Sequence, residues 1–298
     1  MRLPVVWHPG YSIAQPADHP FPMGKFTVLG ALLRAAGHHM HPAPEVSAQV
    51  LRAVHDADYL DAMAAGTLAT GLQRRIGFQC TPELAHRCRL ETGGTIRTIE
   101  LALAQGLACN AAGGTHHAHR DFGAGYCLIN DLAVATRWAL DVAGVSKVLI
   151  VDLDVHQGDG TAALLADEPR AFTFSMHCEK NFPARKARSD LDVGLPRGLD
   201  DAGYLHELAA LLPWLLDTVC PTLVLYDAGV DVHGSDRLGH LALSDDGIAA
   251  RDAYVLGECR RRGIPTAAVI GGGYDRNLDV LAARHALLFQ AAAATLRA

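Results

Sequence analysis

The stretch KVLIVDLDVHQGDG, residues 147–160, opens with an apolar run rich in β-branched residues and then sets Asp152, Asp154 and His156 at alternate positions. An uninterrupted apolar run of this length reads as a strand buried on both faces, as in parallel sheets covered by helices. Alternate side chains of an extended chain share a face, so the spacing predicts that Asp152, Asp154 and His156 project together where the strand ends. Two carboxylates and an imidazole in an apolar setting are costly unless a cation or hydrogen-bond partners compensate them. A divalent metal is the simplest compensation, and a mixed His/Asp set suits zinc, at roughly 2.0–2.2 Å per ligand. A glycine-rich turn with solvated acids is the other reading of the same residues.

Outward from this run, short apolar segments alternate with helical periodicities. LPVVWH near the N-terminus, 170–177, 221–229 and 264–273 read as further strands beside 145–154. Helical spacing is predicted over 26–37, as two short helices within 45–65, and over 91–106, 129–143, 202–218, 245–262 and 277–296, with Pro213 expected to kink its helix. Strands separated by helices imply right-handed crossovers and a largely parallel sheet with helices on both faces. No linker, composition shift or repeat divides the chain, so residues 1–298 read as one domain. Ligands of such sheets bind outside the carboxyl ends of the strands, and polar punctuation stands at several of those ends.

Half of the residues are hydrophobic and 19% are charged, enough to bury a substantial core. The formal charge of −6 and the lack of a long basic block argue against nucleic-acid or membrane-surface partners. Cys80, Cys88, Cys109, Cys127, Cys178, Cys220 and Cys259 are scattered, odd in number and never spaced C-x-x-C, which fits reduced thiols rather than a disulfide framework. With neither a signal-peptide pattern nor an apolar run of about 18 residues, a cytoplasmic protein is expected.

Three more polar groups stand at strand ends or glycine turns. In AAGGTHHAHRDFGAGYCLIND, 111–131, a diglycine precedes His116 and His117. A tight turn there would bring two imidazoles to a ligand, and imidazole exchanges protons near neutrality; a polar loop is the alternative. His119 and Arg120 are read as surface residues. In YDAGVDVHGSDRLG, 226–239, Asp231 could complete a three-ligand metal site with Asp154 and His156, with Asp227, His233 and Asp236 as competitors. In VIGGGYDRN, 269–277, Tyr274 follows three glycines; a phenol there suits donation to a developing oxyanion, or is a turn tyrosine. No G-x-G-x-x-G or G-K-[ST] accompanies it, which weakens a nucleotide reading.

With GGTHHA, DLDVHQGDG, AGVDVHGSDRLG and GGGY in this order, the chain resembles the zinc-dependent histone deacetylase family, which also includes acetylpolyamine amidohydrolases and acetoin-utilisation-type proteins. HPFPMGK, VHDADYLDAM, RIGFQCTPEL and ETGGTI look most like its class IV-like bacterial branch. The resemblance implies a single α/β domain of the arginase-deacetylase type with a central, mostly parallel eight-stranded sheet. It implies zinc held by Asp154, His156 and Asp231, His116 bonded to Asp152, His117 bonded to Asp159 and acting as general base and then acid, and Tyr274 donating to the substrate carbonyl. It also implies a monovalent cation, usually potassium, held by Asp152, Asp154, His156, Ser175 and the backbone of Met176. The tunnel would be walled by Tyr126 and Phe182, with Gly125 and Gly272 beside them.

Against the family pattern, Gln157 replaces a frequent second histidine and Tyr126 a usual phenylalanine. The segment FPARKARSD, 182–190, is basic where many relatives have a glycine-rich loop. Arg185, Lys186 and Arg188 are expected to be solvated, with guarding of the mouth as the alternative. The implied activity is removal of acetyl or other acyl groups from lysine side chains of a protein or peptide. Acylated small amines such as acetylpolyamines are the rival substrate, and a non-catalytic acyl-lysine binder is the rival of another class. Oligomeric state and acyl length are open at this point.

Overall fold

A computed structural model describes residues 2–16 and 18–297. Its strands are β1 (Pro4–Trp7), β2 (His39–Pro42), β3 (Leu107–Asn110), β4 (Val148–Asp152), β5 (Ala171–Cys178), β6 (Leu191–Leu195), β7 (Leu223–Asp227) and β8 (Thr266–Val269). They form one eight-stranded sheet in the order β2-β1-β3-β8-β7-β4-β5-β6, every pair parallel. The expected mostly parallel sheet is thus wholly parallel. This order makes β3, β8, β7 and β4 neighbours, so the four polar segments that follow them meet at one end although they lie far apart in sequence.

The helices are α1 (Lys25–Ala35), α2 (Ala48–Leu51), α3 (Ala57–Ala64), α4 (Thr70–Ile76), α5 (Pro82–Gln105), α6 (Asp131–Asp141), α7 (Asp159–Leu165), α8 (Asp201–Val219), α9 (Asp245–Arg261) and α10 (Leu278–Thr295). One layer runs through α1, α10, α9 and α8 and another through α5, α6 and α7, with α5 and α10 both touching β3. The central strands are buried on both faces: Leu149, Val151, Val224 and Leu225 are fully enclosed. That is why these segments are apolar without alternation.

Several expectations shift. Strand β4 ends at Asp152, so Asp154 and His156 lie in the turn beyond it and not on a continuing strand face. Helix α5 starts at Pro82, nine residues before the predicted start, capped by the Thr81 hydroxyl, which accepts from Leu84 N at 3.2 Å; proline at the first helical position is a common start. Helix α8 continues through Pro213. Strands β2, β3 and β6 and helices α4 and α7 had no clear periodicity to announce them.

His55, buried between α2 and α3, ties the diglycine segment to this frame. Its ring nitrogens meet His119 O at 2.8 Å and Asn130 N at 3.0 Å. Asn130 in turn caps α6 and donates to His116 O and Ala118 O. Burial, partly opposed by backbone carbonyls, lowers the His55 pKa from 6.5 to about 4. Between these values the unfolded chain binds the proton and the folded one does not, so the native state is favoured above pH 6.5 and loses ground as pH falls toward 4. Urea unfolding of the wild type and His55→Gln checks this. Lowering the pH from about 7.5 to about 5 should cost the wild type about 2 kcal/mol more than the variant.

Candidate active site

The diglycine makes the predicted turn, with Gly113 and Gly114 at φ of 90° and 83°, a region open chiefly to glycine. Asp131, at the first turn of α6, accepts from Gly114 N at 3.2 Å and Thr115 N at 2.7 Å and fixes the turn's exit. The buried Arg87–Glu91 pair of α5 reaches the same turn, Glu91 accepting from Gly113 N at 3.2 Å. His116 and His117 are thereby set side by side and buried, their Nε2 atoms 3.2 Å apart.

Each imidazole leans on its own carboxylate. His116 Nδ1 lies 2.8 Å from Asp152 Oδ2, and His117 Nδ1 lies 2.6 Å from Asp159 Oδ1. Burial alone would lower the His116 pKa, but Asp152, Asp154 and Asp227 outweigh it and raise it well above the usual histidine range. Burial and the neighbouring His116 instead push His117 down to about 3, despite Asp159. The two adjacent rings are thus pushed in opposite directions, His117 toward a neutral base.

Asp154, His156 and Asp231 converge beside this pair, their ligand atoms within 4.8 Å of one another and all three buried. The turn after β4 is self-braced: Asp154 N donates to Asp152 Oδ1 at 3.1 Å, and His156 N to Asp154 Oδ1 at 3.0 Å. Gly272 N donates to Asp154 Oδ2 at 2.7 Å and Val155 N to Asp231 Oδ1 at 2.9 Å. Asp231 Oδ2 is buried without a hydrogen bond, although His156 Nδ1 lies 3.2 Å away without the alignment of one. Burial and Asp154 push the Asp231 carboxyl up to about 7, against the pull of His156. An orphaned carboxylate oxygen beside a second carboxylate and an imidazole fits a bound cation.

The competitors fall elsewhere. Asp227, the register partner of Asp152, faces His116 at 3.9 Å, and both its oxygens are buried and unpaired; it belongs to a second group, His116, Asp152 and Asp227, that could hold a metal. Asp236 accepts from Tyr274 N at 2.8 Å and so anchors the loop that carries the phenol. His233 bonds Ser235. Ser175 is paired in register with Asp152, and its hydroxyl meets His177 Nδ1 at 2.9 Å; Met176 is buried beside it.

A cleft of about 500 Å³ opens above, with His117, His156 and Tyr274 toward its floor and Gly125, Tyr126 and Phe182 on its walls. Phe182 is exposed, its ring edge-on to His117 with centroids 4.8 Å apart. Gly272 does not line this cleft. It borders an inner hollow of about 30 Å³ behind Tyr274, shared with Lys25 and Arg87. Burial and the nearby Asp231 and Asp154 keep the Tyr274 phenol protonated, well above its ordinary pKa.

Some supports escaped the sequence reading. His119, expected at the surface, is half-buried and reaches Asp159 Oδ2 at 3.1 Å, so that carboxylate is shared by two histidines; Arg120 is exposed as expected. Arg251, fully buried on α9, donates to Leu153 O, Ala228 O and Gly229 O, binding together the turns after β4 and β7. Its only sequence signal is a cation in the predicted helix 245–262. Lys186 is half-buried with Nζ on Asn181 O and Pro183 O, against the solvated expectation, while Arg185 and Arg188 are exposed.

The solved HDA15 HD domain superposes with a TM-score of 0.82 at 23% identity, over 99% of this chain and 89% of that one, so the two share a fold. The Histone deacetylase domain family matches residues 19–290. An uncharacterized protein of Picosynechococcus is 51% identical over 98% of this chain and 99% of its own length. Histone deacetylase 2 of Arabidopsis thaliana is 30% identical over 87% of this chain and 70% of its own. The chain belongs to the histone deacetylase family.

Gly272 offers a direct probe of the Asp154/His156/Asp231 group. A Cβ there would stand 2.1 Å from Asp231 Oδ2 and 2.6 Å from Asp154 Oδ2. Gly272→Ala should weaken uptake of a divalent ion by about 10-fold or more in calorimetric titration, with the far-UV spectrum of the fold retained.

Proposed function

We propose that this chain is a zinc-dependent amidohydrolase that removes acetyl or other acyl groups from lysine side chains. The observation that carries the reading is the adjacent His116 and His117, each held by its own aspartate, next to the Asp154/His156/Asp231 group, with His117 and the Tyr274 phenol in one cleft. Asp154, His156 and Asp231 would hold the zinc, a donor set the metal accepts with a position left open. When bound it polarises an amide carbonyl and brings the pKa of water from 15.7 to about 7.

The chain's own residues account for the proton traffic. His117 takes the proton of the attacking water at Nε2, while Asp159 holds its Nδ1–H. The same nitrogen then gives the proton to the departing amine, help typically worth about 10²–10⁴ in rate. His116, fixed by Asp152 and with its pKa raised by the surrounding acids, would favour negative charge developing on the acyl oxygen. Tyr274, held protonated, donates to that oxygen, and its backbone is pinned by Asp236. Asp152, Asp154, His156, Ser175 and the backbone of Met176 would hold a potassium ion. Neutral His117 with its own aspartate supports an enzyme over a mere acyl-lysine binder, which has no use for a proton acceptor there.

Two measurements test this. A panel of acyl-lysine peptides should be hydrolysed, with turnover lost to a chelator and restored by zinc. Tyr274→Phe should lower kcat by about 10²–10³ while zinc content by atomic absorption stays at the wild-type level. Near-normal turnover in that variant removes Tyr274 from the reaction.

A further inference from the structure

The mouth of the cleft carries charge of one sign. Arg74 and Arg75 at the end of α4, Lys180 after β5, and Arg237 with His240 after β7 are exposed and line it, and no carboxylate does. A shelf alongside, of about 410 Å³, adds Arg185 and Lys186; its one acid, Asp159, is engaged by His117 and His119. Among the described residues no carboxylate comes within 4.0 Å of Arg74, Arg75, Arg185 or Arg237, and Lys180 meets only exposed Glu179, at 3.8 Å. Asp18 and Asp275 lie in the next hollow, beyond Arg237 and beside Arg276.

Arg75 and the basic loop are anchored. The Arg75 guanidinium stacks on Phe122 at 3.7 Å. Gln157, where the family often has histidine, grips the basic loop through Ala187 N and O at 2.8 and 3.0 Å and bonds Asp192 at 2.7 Å. Unpaired cations from three separate elements, in a chain of formal charge −6, concentrate positive potential at one opening. They lie outside the reacting groups, so they meet the part of the substrate beyond its amide arm.

We propose that this mouth selects acyl amines with negative charge beyond the amide arm, and that an acyl-lysine flanked by Asp or Glu in a polypeptide is the form it fits. The inference rests on the deacylase reading above. Arginine forks match carboxylates in bidentate geometry, and an extended peptide, rising about 3.3 Å per residue, turns every second flanking side chain toward the rim. Polycationic substrates, acylated polyamines and Lys/Arg-rich tails alike, are repelled by the same charges.

The test compares three peptides of equal length around one acetyl-lysine, with acidic, neutral or basic flanks, at low salt and at high salt. Fluorescence anisotropy of the same peptides reads binding without turnover. At low salt kcat/KM should favour the acidic over the basic peptide by about 10-fold or more, mostly through KM, and the ratio should shrink as salt rises. The double variant Arg74→Glu, Arg237→Glu should reverse the ranking. Arg260→Glu, exposed beside Gly106 at the opposite end of the sheet, should leave it in place. Equal or basic-favouring rates at low salt, or a ranking that survives the double reversal, overturn the proposal. If anisotropy ranks the acidic peptide first and nothing is hydrolysed, the deacylase reading fails and the mouth stands. Free Nε-acetyl-lysine outpacing the acidic peptide overturns the polypeptide form, and acetylputrescine outpacing both overturns the whole.

Discussion

The structure depends on keeping a crowd of buried carboxylates tolerable at one end of the sheet. Asp152, Asp154, Asp227 and Asp231 are all enclosed within reach of one another. Burying like charges together is unfavourable unless cations and hydrogen bonds offset it. The chain answers in three ways. His116 sits among three of the acids, which raise its pKa, backbone amides point at Asp154 and Asp231, and burial with the neighbouring Asp152 pushes the Asp227 carboxyl well above the ordinary range. Asp231 Oδ2 and both oxygens of Asp227 are left without partners, and each belongs to a buried group that could hold a metal ion.

The same constraint explains the contrast between two adjacent histidines. They share a turn and a depth, yet one is surrounded by several acids and the other leans on a single carboxylate already shared with His119. Asp159 is held below the usual carboxylate range by those two histidines against the effect of burial, so it stays an acceptor and fixes the His117 tautomer. Position along the strand ends, more than residue type, sets the two imidazoles apart.

Sequence reasoning reached the central strands and long helices because burial on both faces and helical periodicity leave strong local traces. It missed β2, HMHP, whose residues are polar and sit at the sheet edge, and β6, LDVGL, where an acid and a glycine interrupt the apolar pattern. The alternation in DLDVH suggested a strand face; the chain turns after Asp152, and side-chain-to-backbone bonds between every second residue hold the turn. Those bonds preserve a spacing of two in a structure that is not a strand. Strand-end placement pointed to the segments that carry Asp154, His156, Asp231 and Tyr274, but left Asp227, His233 and Asp236 open beside Asp231; the choice among them, and of His116 and His117, came from the resemblance to the family. Arg251 and His119 were not legible, since their roles arise from contacts across the fold that no local pattern records.

Two layers of opposite charge are stacked along the cleft, acids below and arginines at the rim. Under the proposed deacylation a neutral amide would cross the upper layer and leave an ammonium at the floor. The rim cations would oppose its way out, and the floor acids would hold it unless they are already compensated. Compensation of those acids by His116 and by backbone amides would therefore ease product release as well as folding, while the arginines at the mouth would act against it.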